Sequence, residues 1–305
     1  MFFAWLTTLS FACSGMAGGR ASFHLGPTRA LLFRSLLASL IMTIVFCFLR
    51  WSFFDSLFWP FFLSGLLGFG VADVFMYVCY RLLSARLGMT LVQCLAAPFA
   101  ILIEVRFLGV SLSAFEYLSI VLILTGVFFA VRPKTMPHLP VRQVVVGFIL
   151  AVFGAFVQGA SSVLSRYAYQ QGALLGLELP GFQTAYYRVL GGTCFIIFYF
   201  LVVKAFETRL PEVLATRQRS ATQIKNGIPA LLFLVLFGPC MGVTFNQLAF
   251  SSTDASLVLP VIATVPVFMI PLAKRFEGEK VSLSSTAGTI LAVMGVALLS
   301  YLQAR

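Results

Sequence analysis

Three charged side chains, Arg34, Asp73 and Arg188, lie deep inside long apolar stretches of this sequence. A charge at the centre of a membrane-spanning helix costs about 2.5–3.5 kcal/mol on insertion scales, which makes each of them a candidate for function. Arg34 and Asp73 fall on successive stretches, at depths of roughly 6 and 9 Å from the same end at 1.5 Å per residue, so their placement predicts an ion pair. For Arg188 three ways of satisfying the guanidinium follow: carbonyls or amides such as Asn246 or Gln247, snorkelling to the membrane edge, or an anionic ligand. The planar fork of donors suits a substrate carboxylate. Gln93, Gln158, Asn246 and Gln247 are uncharged groups suited to lining a cavity or to bonding neighbouring helices.

Enzymatic chemistry finds little support. His24 and His138 fall in connectors and the acids are scattered, so no nucleophile with a base, no metal cluster and no cofactor site is expected. Glu104, Arg106 and Glu116 sit near the ends of apolar stretches, where snorkelling removes most of the cost of burial. Cys13, Cys47, Cys79, Cys94, Cys194 and Cys240 all lie in apolar stretches without a CxxC, the pattern of buried filler rather than of disulfides or zinc. No basic run is interleaved with aromatics as a nucleic-acid patch would be. Without a P-loop, any pumping must draw on a gradient, of protons or of a counter-substrate.

These residues are carried by helices. Of 305 residues, 60% are hydrophobic and 10% charged, and the mean hydropathy is +0.99. Soluble domains carry about 25% charged residues, so the composition excludes one. The apolar stretches lack the alternation of a transmembrane β-barrel and match the roughly 20 residues of a spanning helix. They predict ten spans, at 2–19, 30–49, 57–79, 87–107 and 114–131, then 144–164, 182–203, 228–250, 255–273 and 283–302. The first lacks a basic n-region and a cleavage site and reads as a retained helix. Connectors are short except 204–227, where a surface helix around 211–218 and contact with anionic lipid headgroups are expected. Gly15 and Gly19 form a GxxxG, and Gly65, Gly68 and Gly70 mark another close helix contact. Pro98, Pro260, Pro266 and Pro271 interrupt spans four and nine, where a missing donor bends the helix and frees carbonyls.

Lys and Arg divide unequally between the two sides. Fifteen fall in odd-numbered connectors and four on the opposite side, which places the odd connectors in the cytoplasm and both termini outside. The two halves also repeat. Gly70 and Pro98 are 28 residues apart, as are Gly238 and Pro266. Arg106-Phe107, Gly109 and Gly126-Val127 recur at the same spacing as Arg275-Phe276, Gly278 and Gly295-Val296. Arg20 pairs with Arg166 and Arg34 with Arg188, while Asp73 has Met241 as its counterpart. Five spans is an odd number, so the second copy must enter the membrane inverted, an arrangement suited to alternating access.

These residues resemble the drug/metabolite transporter superfamily, and within it the EamA-type permeases with two five-helix repeats. The likeness rests on Arg20 and Arg166 closing the first helix of each half, Arg34 and Arg188 early in the second, and the small-residue helices ending at Pro98 and Pro266. To these it adds Gly278-Glu279 followed by Gly288 and Gly295. Val110 stands where the repeat would place a second Glu279, and the charge bias opposes the cytoplasmic termini usual in that family. The resemblance implies an all-α integral membrane protein with one repeat at 1–131, a connector at 132–143 and a second repeat at 144–305. It further implies a multi-pass secondary transporter of the cell membrane, exporting small metabolites such as amino acids or related carboxylates. A nucleotide-sugar or lipid-linked sugar carrier is the alternative within the superfamily. A non-transporting scaffold and a membrane enzyme are the readings outside it.

Overall fold

The computed structural model describes residues 2–49, 56–108, 113–131, 140–177, 180–206, 220–252, 261–262, 264–276, 278 and 281–303, and among them there is no strand. The first half runs α1 (Phe2–Leu25), α2 (Pro27–Phe48), α3 (Phe58–Gly65), a π-helical segment (Leu66–Ala72), α4 (Asp73–Leu82), α5 (Ala85–Leu108) and α6 (Ala114–Val131). The second runs α7 (Val141–Leu174), α8 (Gly181–Ala205), α9 (Ala221–Val235), a second π-helical segment (Leu236–Gly242), α10 (Val243–Ser252), α11 (Val265–Phe276) and α12 (Leu283–Gln303). Among the described residues six helical stretches, 27–48, 58–82, 85–103, 141–174, 181–205 and 222–249, are long and apolar enough to cross a membrane. Large apolar side chains such as Leu40, Trp59, Phe128, Phe153 and Phe198 are exposed around the outside, as lipid contact requires.

The helix α1 is not among those six. It carries Thr7, Thr8, Ser10, Ser14, Gly15 and Gly18 on a buried face, so its hydropathy is modest and its place is inside the bundle. It packs on α9, the second π segment, α10 and α11, all from the other half, while α7 packs on α3, the first π segment, α4 and α5. In the same way α2 packs on α9 and its π segment, and α8 on α3 and its own. Three pairs, α2 with α8, α5 with α11 and α6 with α12, join like elements of the two halves. Contacts paired in this manner are what exchange of two repeats about a two-fold axis produces, and they interlock the halves.

Several expectations are corrected here. The third and eighth spans are interrupted by π turns, each seven residues long. The segments begin at Leu66 and Leu236, 170 apart, so the residue in Asp73's place is Val243 rather than Met241. Arg20 and His24 are helical residues of α1, not connector residues. Arg86, counted with connector three, is in fact 2% exposed inside α5 and donates to Ser285 Oγ, which donates to the carbonyl of Ala130. In α1 the glycines at helix contacts are Gly15, against Met269 and Met89, and Gly18, against Tyr80 and Tyr77, where Gly15 and Gly19 were expected. Pro98 and Pro271 lie inside α5 and α11, and Pro266 in the first turn of α11. His138, Val110, Pro260, Glu279 and the stretch 211–218 lie outside the described residues.

Glycines set the closest approaches. A Cβ on Gly65 would overlap the backbone of Arg188, and one on Gly191 the carbonyl of Phe62, so α3 and α8 touch backbone to backbone. Between α6 and α12, Gly126 meets Gly288 and Ala292, and Gly295 meets Ile123 and Ser119. The Gly-Val motif repeated at 126 and 295 is thereby explained as the two sides of one small-residue seam.

Candidate functional site

Arg34 and Arg188 each stand seven residues after the first residue of their helix, from Pro27 in α2 and from Gly181 in α8. At 1.5 Å per residue this is a depth of about 10 Å. Their environments then diverge. Arg34 donates to the Asp73 carboxylate at 2.5 Å and to Tyr77 Oη at 3.5 Å, and its guanidinium lies 5.6 Å from the Tyr77 ring centroid. The predicted ion pair is present, and the residues making it are 8% and 6% exposed. Arg188, 4% exposed, meets no acid among the described residues: it donates to Ser161 Oγ at 3.3 Å, lies 5.1 Å from the Phe69 ring centroid, and its buried Nε has no partner among them.

Both arginines face one cavity of about 430 Å³, enclosed by elements of both halves. Gln93 from α5, Gln158 from α7 and Asn246 from α10 line it together with Arg34, Asp73 and Arg188. Asn246 brings a buried side-chain oxygen with no partner among the described residues. Gln247 is the exception. It is fully buried behind the wall, where its side-chain oxygen accepts from Tyr169 Oη and from Thr184 at 3.4 Å. The expectation that Asn246 or Gln247 satisfies Arg188 is replaced by Ser161 and Phe69.

Aromatic and thioether groups supply much of the remaining lining, including Phe11, Phe69, Tyr77, Tyr169, Met76 and Met89. Arg166 and Gln170, both exposed, stand on the stretch of α7 near connector six and also line the cavity. The cavity therefore opens toward the side of the even-numbered connectors, and Arg34 and Asp73 lie toward its opposite end. There Tyr80 packs 5.2 Å from Tyr77 and its Oη contacts Met89 Sδ at 3.8 Å. Tyr80 also lines a second pocket, of about 330 Å³, with Arg20, His24, Arg81 and Ser84 on the odd-connector side. Tyr80 is thus common to the linings of both spaces.

Tyr77, Tyr80, Tyr169 and Ser161 were not singled out in the sequence, because a hydroxyl in an apolar helix carries no charge to mark it. The repeated Arg20 has a clear role: it donates to the carbonyl of Phe276 at 2.5 Å and lies over that ring. A cation there closes the C-terminal end of α11 in the other half. Glu116 accepts from the backbone N–H and hydroxyl of Ser113, a cap on the start of α6 rather than a cavity group.

A helical bundle of two interlocked halves around a shared, largely apolar cavity that holds Arg34, Asp73 and Arg188, with lipid-facing apolar walls, is that of a multi-pass membrane protein. The chain belongs to the EamA-like transporter family, matching it over residues 1–132 and 145–301. A solved crystal structure 16% identical in sequence superposes with a TM-score of 0.65 over 99% of this chain and 96% of that one, a likeness of fold. No curated protein matches the chain.

Proposed function

We propose that this protein is a secondary transporter that exports small organic carboxylates across the cell membrane by alternating access. In this reading ten spans form two five-helix halves inverted across the bilayer, and a gradient of protons or of a counter-substrate supplies the driving force. The observation that carries it is Arg188, a buried guanidinium that meets no carboxylate among the described residues, on the wall of a cavity shared by both halves. A membrane-embedded arginine is costly unless something anionic or wet meets it, and a substrate carboxylate meets it in the bidentate geometry the fork favours. Arg34 is already engaged by Asp73. That leaves too few deep cations for the pyrophosphate of a nucleotide sugar or a lipid-linked sugar, so the carboxylate reading is preferred.

The test is a comparison of metabolites inside and outside cells that contain or lack the protein, followed by flux assays in proteoliposomes with the compounds that differ. Carboxylates that accumulate outside only when the protein is present, and that cross proteoliposome membranes, are the expected result. Flux confined to sugar nucleotides, or none for any metabolite pool, overturns the reading.

A further inference from the structure

The buried guanidinium of Arg188 meets a network of serine hydroxyls between α3 and α7. Ser161 Oγ donates to the carbonyl of Ser64 at 2.8 Å, and Ser64 Oγ donates to the carbonyl of Ser161 at 2.9 Å. Ser165 Oγ and Ser161 Oγ lie 2.6 and 3.2 Å from Ser64 Oγ. Each serine has one hydroxyl proton. Ser161 has therefore spent its own on α3, and it turns only lone pairs toward Arg188 Nη2, 3.3 Å away. The hydroxyl is also confined: a Cβ on Gly68 would lie 2.5 Å from Ser161 Oγ, so the first π segment presses against it. Phe69, the next residue, underlies the guanidinium.

We infer that Ser161 is a positioning residue for substrate: as an obligate acceptor it takes Nη2 of Arg188 and sets the fork with its remaining edge toward the cavity, ready for a carboxylate. The inference rests on the proposed carboxylate specificity and adds what orients the receptor. Ser64 separates this role from simple packing. Ser64→Ala removes the bonds of Ser64 Oγ to the Ser161 carbonyl and to Ser165 Oγ, and its 3.2 Å contact with Ser161 Oγ, but keeps the carbonyl that takes Ser161's proton, so Ser161 still faces Arg188 as an acceptor.

The experiment is calorimetric titration of the detergent-purified full chain with 3-phenylpropanoate and with its neutral isostere 3-phenylpropanamide, alongside thermal unfolding. The wild-type protein binds the anion more tightly than the amide. Ser161→Ala reduces that preference about tenfold, as expected for a lost hydrogen bond to a charged group, and leaves amide binding unchanged. Ser64→Ala lowers the unfolding temperature and keeps the preference. If Ser161→Ala does not fold, Ser161→Cys, with a similar shape and a weaker acceptor, is measured in its place. An unchanged preference in the Ser161 variant, or an equal loss in Ser161→Ala and Ser64→Ala, overturns the positioning role. In those cases a lost preference in Arg188→Lys leaves the carboxylate reading standing. A preference that survives Arg188→Lys, or one absent from the wild type, overturns both.

Discussion

Arg34 and Asp73 form an ion pair, at 2.5 Å, between α2 and α4, and Val243 occupies the acid's place in the other half. Two related halves therefore offer the cavity one arginine that is neutralised and one that is not. Near-symmetry of the backbone carries asymmetry of charge, which is what a site needs if it is to hold one anionic group in one orientation.

Breaking that pair from one side strands a buried charge. Asp73→Ala leaves Arg34 with only Tyr77 opposite its Nη1, and removing one partner of a buried pair costs about 3–5 kcal/mol. Thermal unfolding in detergent is expected to show a large loss of stability for Asp73→Ala and recovery in the double variant Arg34→Met with Asp73→Leu. A double variant no more stable than the single one contradicts the pair's structural account.

The seam between α3 and α8 has no room for a side chain. Gly65→Ala places a methyl inside the Arg188 backbone, whereas Gly176→Ala meets nothing within 4 Å and suffers only from its φ of +65°. That conformation costs a non-glycine residue about 1–2 kcal/mol. Size-exclusion profiles should show Gly65→Ala lost from the folded fraction and Gly176→Ala retained. Comparable yields for the two would contradict backbone contact at this seam.

Tyr80 lines both the central cavity and the pocket beside Arg81. Tyr80→Ala is expected to join the two spaces. With Ser14→Cys placed on the central wall, in a chain whose own exposed cysteines are replaced, a membrane-impermeant charged thiol reagent added on the Arg81 side reports the opening. Labelling should quicken about tenfold, equivalent to about 1.4 kcal/mol in accessibility. No change in rate, in a variant that still folds, removes Tyr80 from the partition.

Orientation is tested separately. With Arg20 and Arg86 set aside as helical residues, the odd-connector side keeps thirteen Lys and Arg against four, which still predicts that the odd connectors are cytoplasmic. A reporter fused after Arg305 that is active only outside the cytoplasm should give signal, and one active only inside should not. The reverse pattern inverts the molecule in the membrane and reverses the side to which the cavity opens, without altering the fold.

How much was legible before folding varied with the physics of each feature. The helices were legible because a bilayer demands about 20 apolar residues per span, and the repeat because equal spacing of Gly, Pro and Arg survives in the chain. Arg34, Asp73 and Arg188 were legible because a charge in an apolar helix is expensive. The π turns were not: the Gly-rich run at 66–72 and the run at 236–242 containing Pro239 read as ordinary span, and only packing against α8 and α1 shows what they do. Gln247 was indistinguishable from Asn246 in sequence, and neighbours on α7 and α8 turned it to the wall's far side.

By itself the sequence determined that the chain lives in a membrane, that it is helical and doubled, and that Arg34 has an acid within reach. Those follow from composition, local periodicity and spacing along one chain, which need no knowledge of which helix meets which. Only the tertiary structure decided that Ser161 rather than an amide meets Arg188, that Phe69 underlies it and that Tyr80 lines both the cavity and the pocket beside Arg81. Each is a contact between helices brought together by backbone approach at glycines, and a linear sequence carries no distance between residues so far apart along it.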